Sequence, residues 1–165
     1  MLWLLLLAFF VANQQSVTLA DQPKILRFPI NGTEYYVAGS GYYSRDWAID
    51  HCRLVGMVPV SFNKGEDLYT EIYNYIITQI EYPNGVGYWT SAIKTSSSSD
   101  SWIWETTGEK VAKFYWAEGE PSFAEDEVGV CMMFSVQRQG WVNDYCKRTN
   151  VGATIVCEKE IEQSE

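Results

Sequence analysis

Apolar and polar positions along the chain change their period several times, and the changes mark out its elements. Residues 2–12, LWLLLLAFFVA, are apolar without a break. That run is long enough for the core of a secretory leader and too short to cross a bilayer as a helix. Thr18-Leu19-Ala20 supplies a small residue for cleavage, so residues 1–20 are expected to be a signal peptide and residues 21–165 one mature domain. Ile25 to Phe28 and Tyr35 to Val37 are short β-like runs around Asn31-Gly32, a turn pair that predicts a hairpin. After Ser44, a residue suited to capping, Trp47, Ala48, Cys52 and Val55 recur at helical spacing, and Gly56 can close the helix. This first helix is expected to bury Cys52. A second helix follows from Leu68, Ile72, Tyr75, Ile76, Gln79 and Ile80, flanked by Tyr69 and Tyr73. Glu66, Asp67 and Glu71 stand near its start, where the helix dipole favours acids.

Beyond Tyr82-Pro83-Asn84-Gly85 the helical period stops. The segments 86–92, 102–105, 131–134, 141–143 and 153–156 read as strands, with the Ser96 to Ser99 tract as a connecting loop. Two helices followed by many short strands predict an α+β domain, its helices packed on a mostly antiparallel sheet.

Composition narrows what such a domain can do. The 165 residues are 47% hydrophobic and 20% charged, the balance of one globular domain. Twenty-one acidic residues against 12 basic ones give a net charge of −9. A nucleic-acid backbone or an anionic membrane surface would therefore repel the chain. No later stretch is apolar enough to span a membrane, and the polar end EKEIEQSE carries no lipid-anchor signal.

The four cysteines, Cys52, Cys131, Cys146 and Cys157, read as two disulfides in an oxidising compartment. Three pairings are open. A short 131–146 loop nested inside a long 52–157 loop would tie the ends of the domain together, each bridge contributing about 3–5 kcal/mol by loop entropy. With one histidine, His51, and no CxxC spacing, a zinc site is excluded, and His51 reads as a surface or packing residue. No GxSxG or metalloprotease motif is present, so the chain is not expected to be an enzyme. Asn31-Gly32-Thr33 is a glycosylation sequon in an expected exposed turn.

A series of landmarks in order resembles the C-type lectin-like domain. They are Tyr35-Tyr36; Trp47-Ala48 with Cys52 and Gly56; Tyr88-Trp89-Thr90-Ser91-Ala92; Trp102-Ile103-Trp104 with Thr107-Gly108; Trp116 with Gly119-Glu120-Pro121; Cys131; Trp141 with Cys146; and Val156-Cys157-Glu158. The resemblance covers nearly all of the mature chain, with a core of about residues 25–159. It implies two helices on short, mostly antiparallel sheets, a long loop region, and the nested pairing Cys52 with Cys157 and Cys131 with Cys146. Trp116 and Trp141 fall on the family's packing positions.

In sugar-binding members of that family one calcium ion is held by a Glu-Pro-Asn or Gln-Pro-Asp loop, a Glu before the third cysteine, and an Asn-Asp pair after a Trp. Sugar hydroxyls complete the oxygen shell. Glu120 matches the first ligand, and Pro121 falls at the family's cis-proline position. The departures then accumulate. Ser122 replaces Asn or Asp, and Gly129 stands where Glu is expected. Glu125, Asp126 or Glu127 could substitute if their loop folds back. Counted from Trp141, the Asn143-Asp144 pair is displaced by one residue, and only a bulge would return both side chains to the metal's side. The cluster Glu118, Glu120, Glu125, Asp126 and Glu127 reads equally as a solvated acidic loop. Calcium is thus a candidate cofactor at a degraded site, with Glu120, Ser122, Glu125, Glu127, Asn143 and Asp144 as the candidate calcium and carbohydrate residues. The resemblance implies a secreted domain that binds surface glycans with weakened or lost calcium dependence. The alternative is a domain that has lost sugar binding and takes a protein partner on the long loop.

Overall fold

Asn31 and Gly32 both adopt positive φ, 47° and 80°, the left-handed pair that a two-residue hairpin turn needs. They join β1 (Leu26–Ile30) to β2 (Thr33–Val37). The computed structural model describes residues 26–38, 44–65, 67–79, 87–99, 101–122, 129–149 and 151–160. The expected leader, Ile25, Ile80, the 82–85 turn and the candidate residues Glu125, Asp126 and Glu127 lie outside them. After the hairpin come α1 (Arg45–Leu54), β3 (Val58–Pro59), α2 (Leu68–Gln79), β4 (Gly87–Lys94), β5 (Trp102–Trp104), β6 (Val130–Ser135), β7 (Gly140–Tyr145) and β8 (Ala153–Glu160).

The strands form one sheet in the order β1-β2-β8-β4-β6-β7, with β3 added to β8 and β5 to β4. Every pairing is antiparallel except β4 with β8. The ladder between β4 and β6 shifts register between Trp89 and Ile93. There the Thr90 hydroxyl donates to the Met132 carbonyl at 2.9 Å and accepts from the Ala92 N–H at 3.2 Å, serving polar groups that the shift leaves unpaired.

Ser44 caps α1, its Oγ accepting the Trp47 N–H at 3.3 Å, and the helix gives way to Gly56 at φ 73°. Ala48 and Cys52 are fully buried, but Trp47, placed on the inner face by its spacing, is 40% exposed and stacks on His51. Arg45 takes the inward place instead, paired at 2.7 Å with Glu105. His51 is a packing residue held by Trp47 and by the Tyr36 hydroxyl at 2.8 Å.

In α2, Leu68, Tyr69, Ile72 and Ile76 are buried, while Tyr73 and Tyr75 pack at the edge and Gln79 is exposed. Tyr69 is a core residue rather than a flanking one. Its ring meets Phe134 and Trp141 edge-on at 5.7 and 5.6 Å. Burial pushes its phenol well above the ordinary tyrosine range.

The two disulfides are Cys52–Cys157, between α1 and β8, and Cys131–Cys146, between β6 and the residue after β7. The two-residue strand β3 was too short to signal itself by periodicity. It is fixed by Glu158, 2% exposed, whose Oε1 accepts both the N–H and the hydroxyl of Ser61, at 3.1 and 2.7 Å. Burial raises the Glu158 pKa, while the Ser61 bonds and the Lys64 ammonium 3.6 Å away oppose the rise.

Candidate functional site

The site forms where an irregular segment is clamped to the start of β7. The Trp141 N–H donates to the Tyr115 carbonyl at 2.6 Å, and the Ala117 N–H donates to the Trp141 carbonyl at 2.9 Å. Gly140 makes the approach possible, since a Cβ there would lie 2.6 Å from the Ala117 nitrogen and 2.9 Å from the Tyr115 carbonyl oxygen. The chain then turns. The Glu120 N–H donates to the Ala117 carbonyl at 3.0 Å, Gly119 takes φ 76°, and the Glu120–Pro121 peptide is cis.

This turn aims Glu120 inward, leaving its side chain 2% exposed. One carboxylate oxygen is ion-paired with the guanidinium of Arg138, from the turn between β6 and β7. The other accepts the Ser122 N–H at 2.8 Å and, more weakly, the Asn143 N–H at 3.5 Å. Asn143 Oδ1 in turn accepts the Ser122 N–H at 2.9 Å and its hydroxyl at 3.1 Å. Arg138 makes a second donation, to the Glu118 carbonyl at 2.9 Å. Glu120, Ser122 and Asn143 thus share one hydrogen-bonded edge, and Arg138 closes it.

Asp144 is directed elsewhere. The β6–β7 ladder runs unbroken from Val130 opposite Tyr145 to Ser135 opposite Gly140. Consecutive residues therefore project to opposite faces, and no bulge brings Asn143 and Asp144 together. Asp144 accepts the Tyr145 N–H at 2.7 Å and pairs with Arg148 at 3.1 Å.

Beside the edge lies a cavity of about 190 Å³. Trp102, Phe114 and Trp116 form its aromatic wall, and Lys94, Pro121 and Asn143 also line it. Phe114 stacks on Trp116 at 5.5 Å with their planes 10° apart, and Trp102 meets Trp116 at 5.6 Å. Trp141 is 1% exposed and belongs to the core, whereas Trp116 is half-buried and faces the cavity.

Neither a protein-family model nor a curated protein sequence matches the chain. Solved structures do. Human lithostathine superposes with a TM-score of 0.62 at 16% identity, over 81% of this chain and 96% of that one. TC14, a C-type lectin from the tunicate Polyandrocarpa misakiensis, gives 0.57 at 18% identity, over 84% and 98%. SPL-2 from Saxidomus purpuratus, described as a calcium-independent C-type lectin, gives 0.62 at 16% identity, over 83% and 93%. The fold is that of the C-type lectin-like domain. Among the described residues, the two helices, the mostly antiparallel strand pairing and the nested disulfides are the arrangement that the ordered landmarks of the sequence imply, with the strands joined in one sheet rather than in several short ones.

Within this fold calcium can be tested against the donors. The ion takes about six to eight oxygens. Here the Glu120 and Asp144 carboxylates each carry a guanidinium, the Asn143 carbonyl is turned to Ser122, and Asp144 points away from Glu120. No three His, Cys, Asp or Glu side chains among the described residues come together to hold a metal. The described residues do not fit calcium. Arg138, Arg148 and Lys94 are the side chains that sequence reasoning passed over. Arg138 lies 18 residues from Glu120, in a turn that no motif distinguishes.

Proposed function

We propose that this C-type lectin-like domain binds glycans directly, without calcium, at the cavity beside Pro121 and Asn143. The observation that carries the reading is the aromatic wall of Trp102, Phe114 and Trp116 set against the polar Lys94 and Asn143. An apolar wall with a few placed polar groups is the usual make-up of a small-ligand site. A pyranose presents an apolar C–H face for the rings and hydroxyls for the polar rim. The carboxylate oxygens of Glu120 already accept from arginine and backbone N–H groups, which supports recognition by direct hydrogen bonds rather than through a metal held there. The description of SPL-2 as calcium-independent is a precedent on the same fold. A binding role rather than catalysis accords with this arrangement.

The test is a glycan array probed with the disulfide-intact protein, with and without chelator. Wild type is expected to bind at least one glycan class equally in both conditions. Phe114→Ala should weaken that binding by about tenfold, or about 1.4 kcal/mol. Binding lost with chelator overturns the reading, and binding to no glycan returns the function to a protein partner on the long loop.

A secreted setting goes with this proposal. Two disulfides suit an oxidising compartment, residues 1–20 read as a signal peptide, and Asn31 is exposed in its turn within a sequon. Among the described residues no helix is long and apolar enough to cross a membrane. Protein made in a eukaryotic secretory pathway is expected to lose mass on amidase treatment, and Asn31→Gln to show no shift. An unshifted wild type overturns the glycosylation site.

A further inference from the structure

A carboxylate with a side chain only 2% exposed is stable when it is neutralised or hydrogen-bonded on both oxygens, because removing a partner from a buried charge is costly. Glu120 meets both conditions within the chain. One oxygen takes two backbone N–H groups, and the other takes the guanidinium of Arg138. The guanidinium does more than cancel charge. Its second nitrogen bonds the Glu118 carbonyl at 2.9 Å, so one planar fork grips the turn at two points. The Arg138 N–H is itself bonded to Ser135 Oγ at 3.3 Å, which anchors its own turn to the end of β6. Ser122 is thereby set, with its N–H shared between the Glu120 carboxylate and Asn143 Oδ1.

We propose that Arg138 is the resident cation of this edge, its guanidinium rather than a bound divalent ion neutralising Glu120 and fastening the Glu118–Ser122 turn to the β6–β7 hairpin. The assignment does not depend on which ligand the neighbouring cavity takes. It makes Arg138 a positioning residue that acts through Glu120 and Ser122. A lysine at the same place keeps the charge but lacks the fork, and a glutamine, two bonds shorter, lacks both.

Amide exchange of the Ser122 N–H, followed by NMR on the intact protein, reads the edge directly. Arg138 stands in an exposed turn away from the core, so its variants are expected to fold. Arg138→Gln should speed Ser122 exchange by about tenfold or more, and Arg138→Lys should recover part of the loss. Millimolar calcium should leave the wild-type rate unchanged. The proposal is overturned by Arg138→Gln exchanging within about twofold of wild type, by Arg138→Lys doing no better than the glutamine, or by wild-type protection that rises with calcium and falls with chelator.

Discussion

Replacing Cys52 and Cys157 together by alanine is expected to remove about 4–5 kcal/mol of stability, the larger of the two disulfide effects. The bond closes a loop of 105 residues, and loop-closure entropy for about 100 residues is worth about 4.7 kcal/mol. Both cysteines are fully buried where α1 meets β8, so the loss is a large part of the roughly 5–15 kcal/mol that holds a domain of this kind together. The Cys131–Cys146 bond spans only 15 residues, and its removal should cost about 3 kcal/mol. Urea unfolding of the two double-alanine variants under oxidising conditions checks both the size and the order. The reverse order would mean that packing around the short bridge, and not loop closure, sets its worth.

Much of this architecture was legible because burial imposes a period on the sequence. Ala48 and Cys52 in α1 and Leu68, Ile72 and Ile76 in α2 show it, whereas the strands around Trp89, Phe134 and Ile155 are buried on both faces and read as short apolar runs bounded by turns. The Asn31-Gly32 turn was legible from backbone conformation alone. Where reading failed, a long-range polar contact had overridden the local pattern. Trp47 carries the helical spacing of a core residue, yet Arg45 is drawn inward by Glu105, which lies 60 residues away, and Trp47 is left outside. Likewise β3 exists because β8 pairs with it and Glu158 holds Ser61, and neither fact leaves a trace in the two residues themselves.

The candidate site was legible in part, and for the same reason. Glu120 and Pro121 announce themselves as a pair, and the displacement of Asn143 and Asp144 from Trp141 is visible in a count of residues. The unbroken β6–β7 register converts that displacement into opposite faces, with Asn143 beside Ser122 and Asp144 beside Arg148. Arg138 could not be read. Its partners Glu118 and Glu120 lie across a turn and a hairpin, and the sequence between them contains nothing that specifies the approach. Gly140 could not be read either, because its need is set by the backbone of residues 115–117, which lies where a side chain would be.

Trp141 joins the core to the site, and its substitutions should separate the two roles. Its ring lies 5.3–6.3 Å from those of Tyr115, Tyr69, Phe62, Trp104, Phe114 and Trp116. Trp141→Ala empties the centre of that cluster and should cost about 3–5 kcal/mol, as large-to-small core changes do. Trp141→Phe should cost less, about 1–2 kcal/mol, because the indole Nε1 has no hydrogen-bond partner among the described residues and mainly packing volume is removed. The clamp on residues 115–117 uses the main chain of Trp141, not its ring. The phenylalanine variant should therefore keep Ser122 amide protection close to wild type, while the alanine variant loses the support behind Phe114 and Trp116 and exchanges faster. Urea unfolding and amide exchange on the same two proteins check this. Equal stability losses in the two variants would show that Nε1 or the exact ring shape, rather than filled volume, is what the cluster requires.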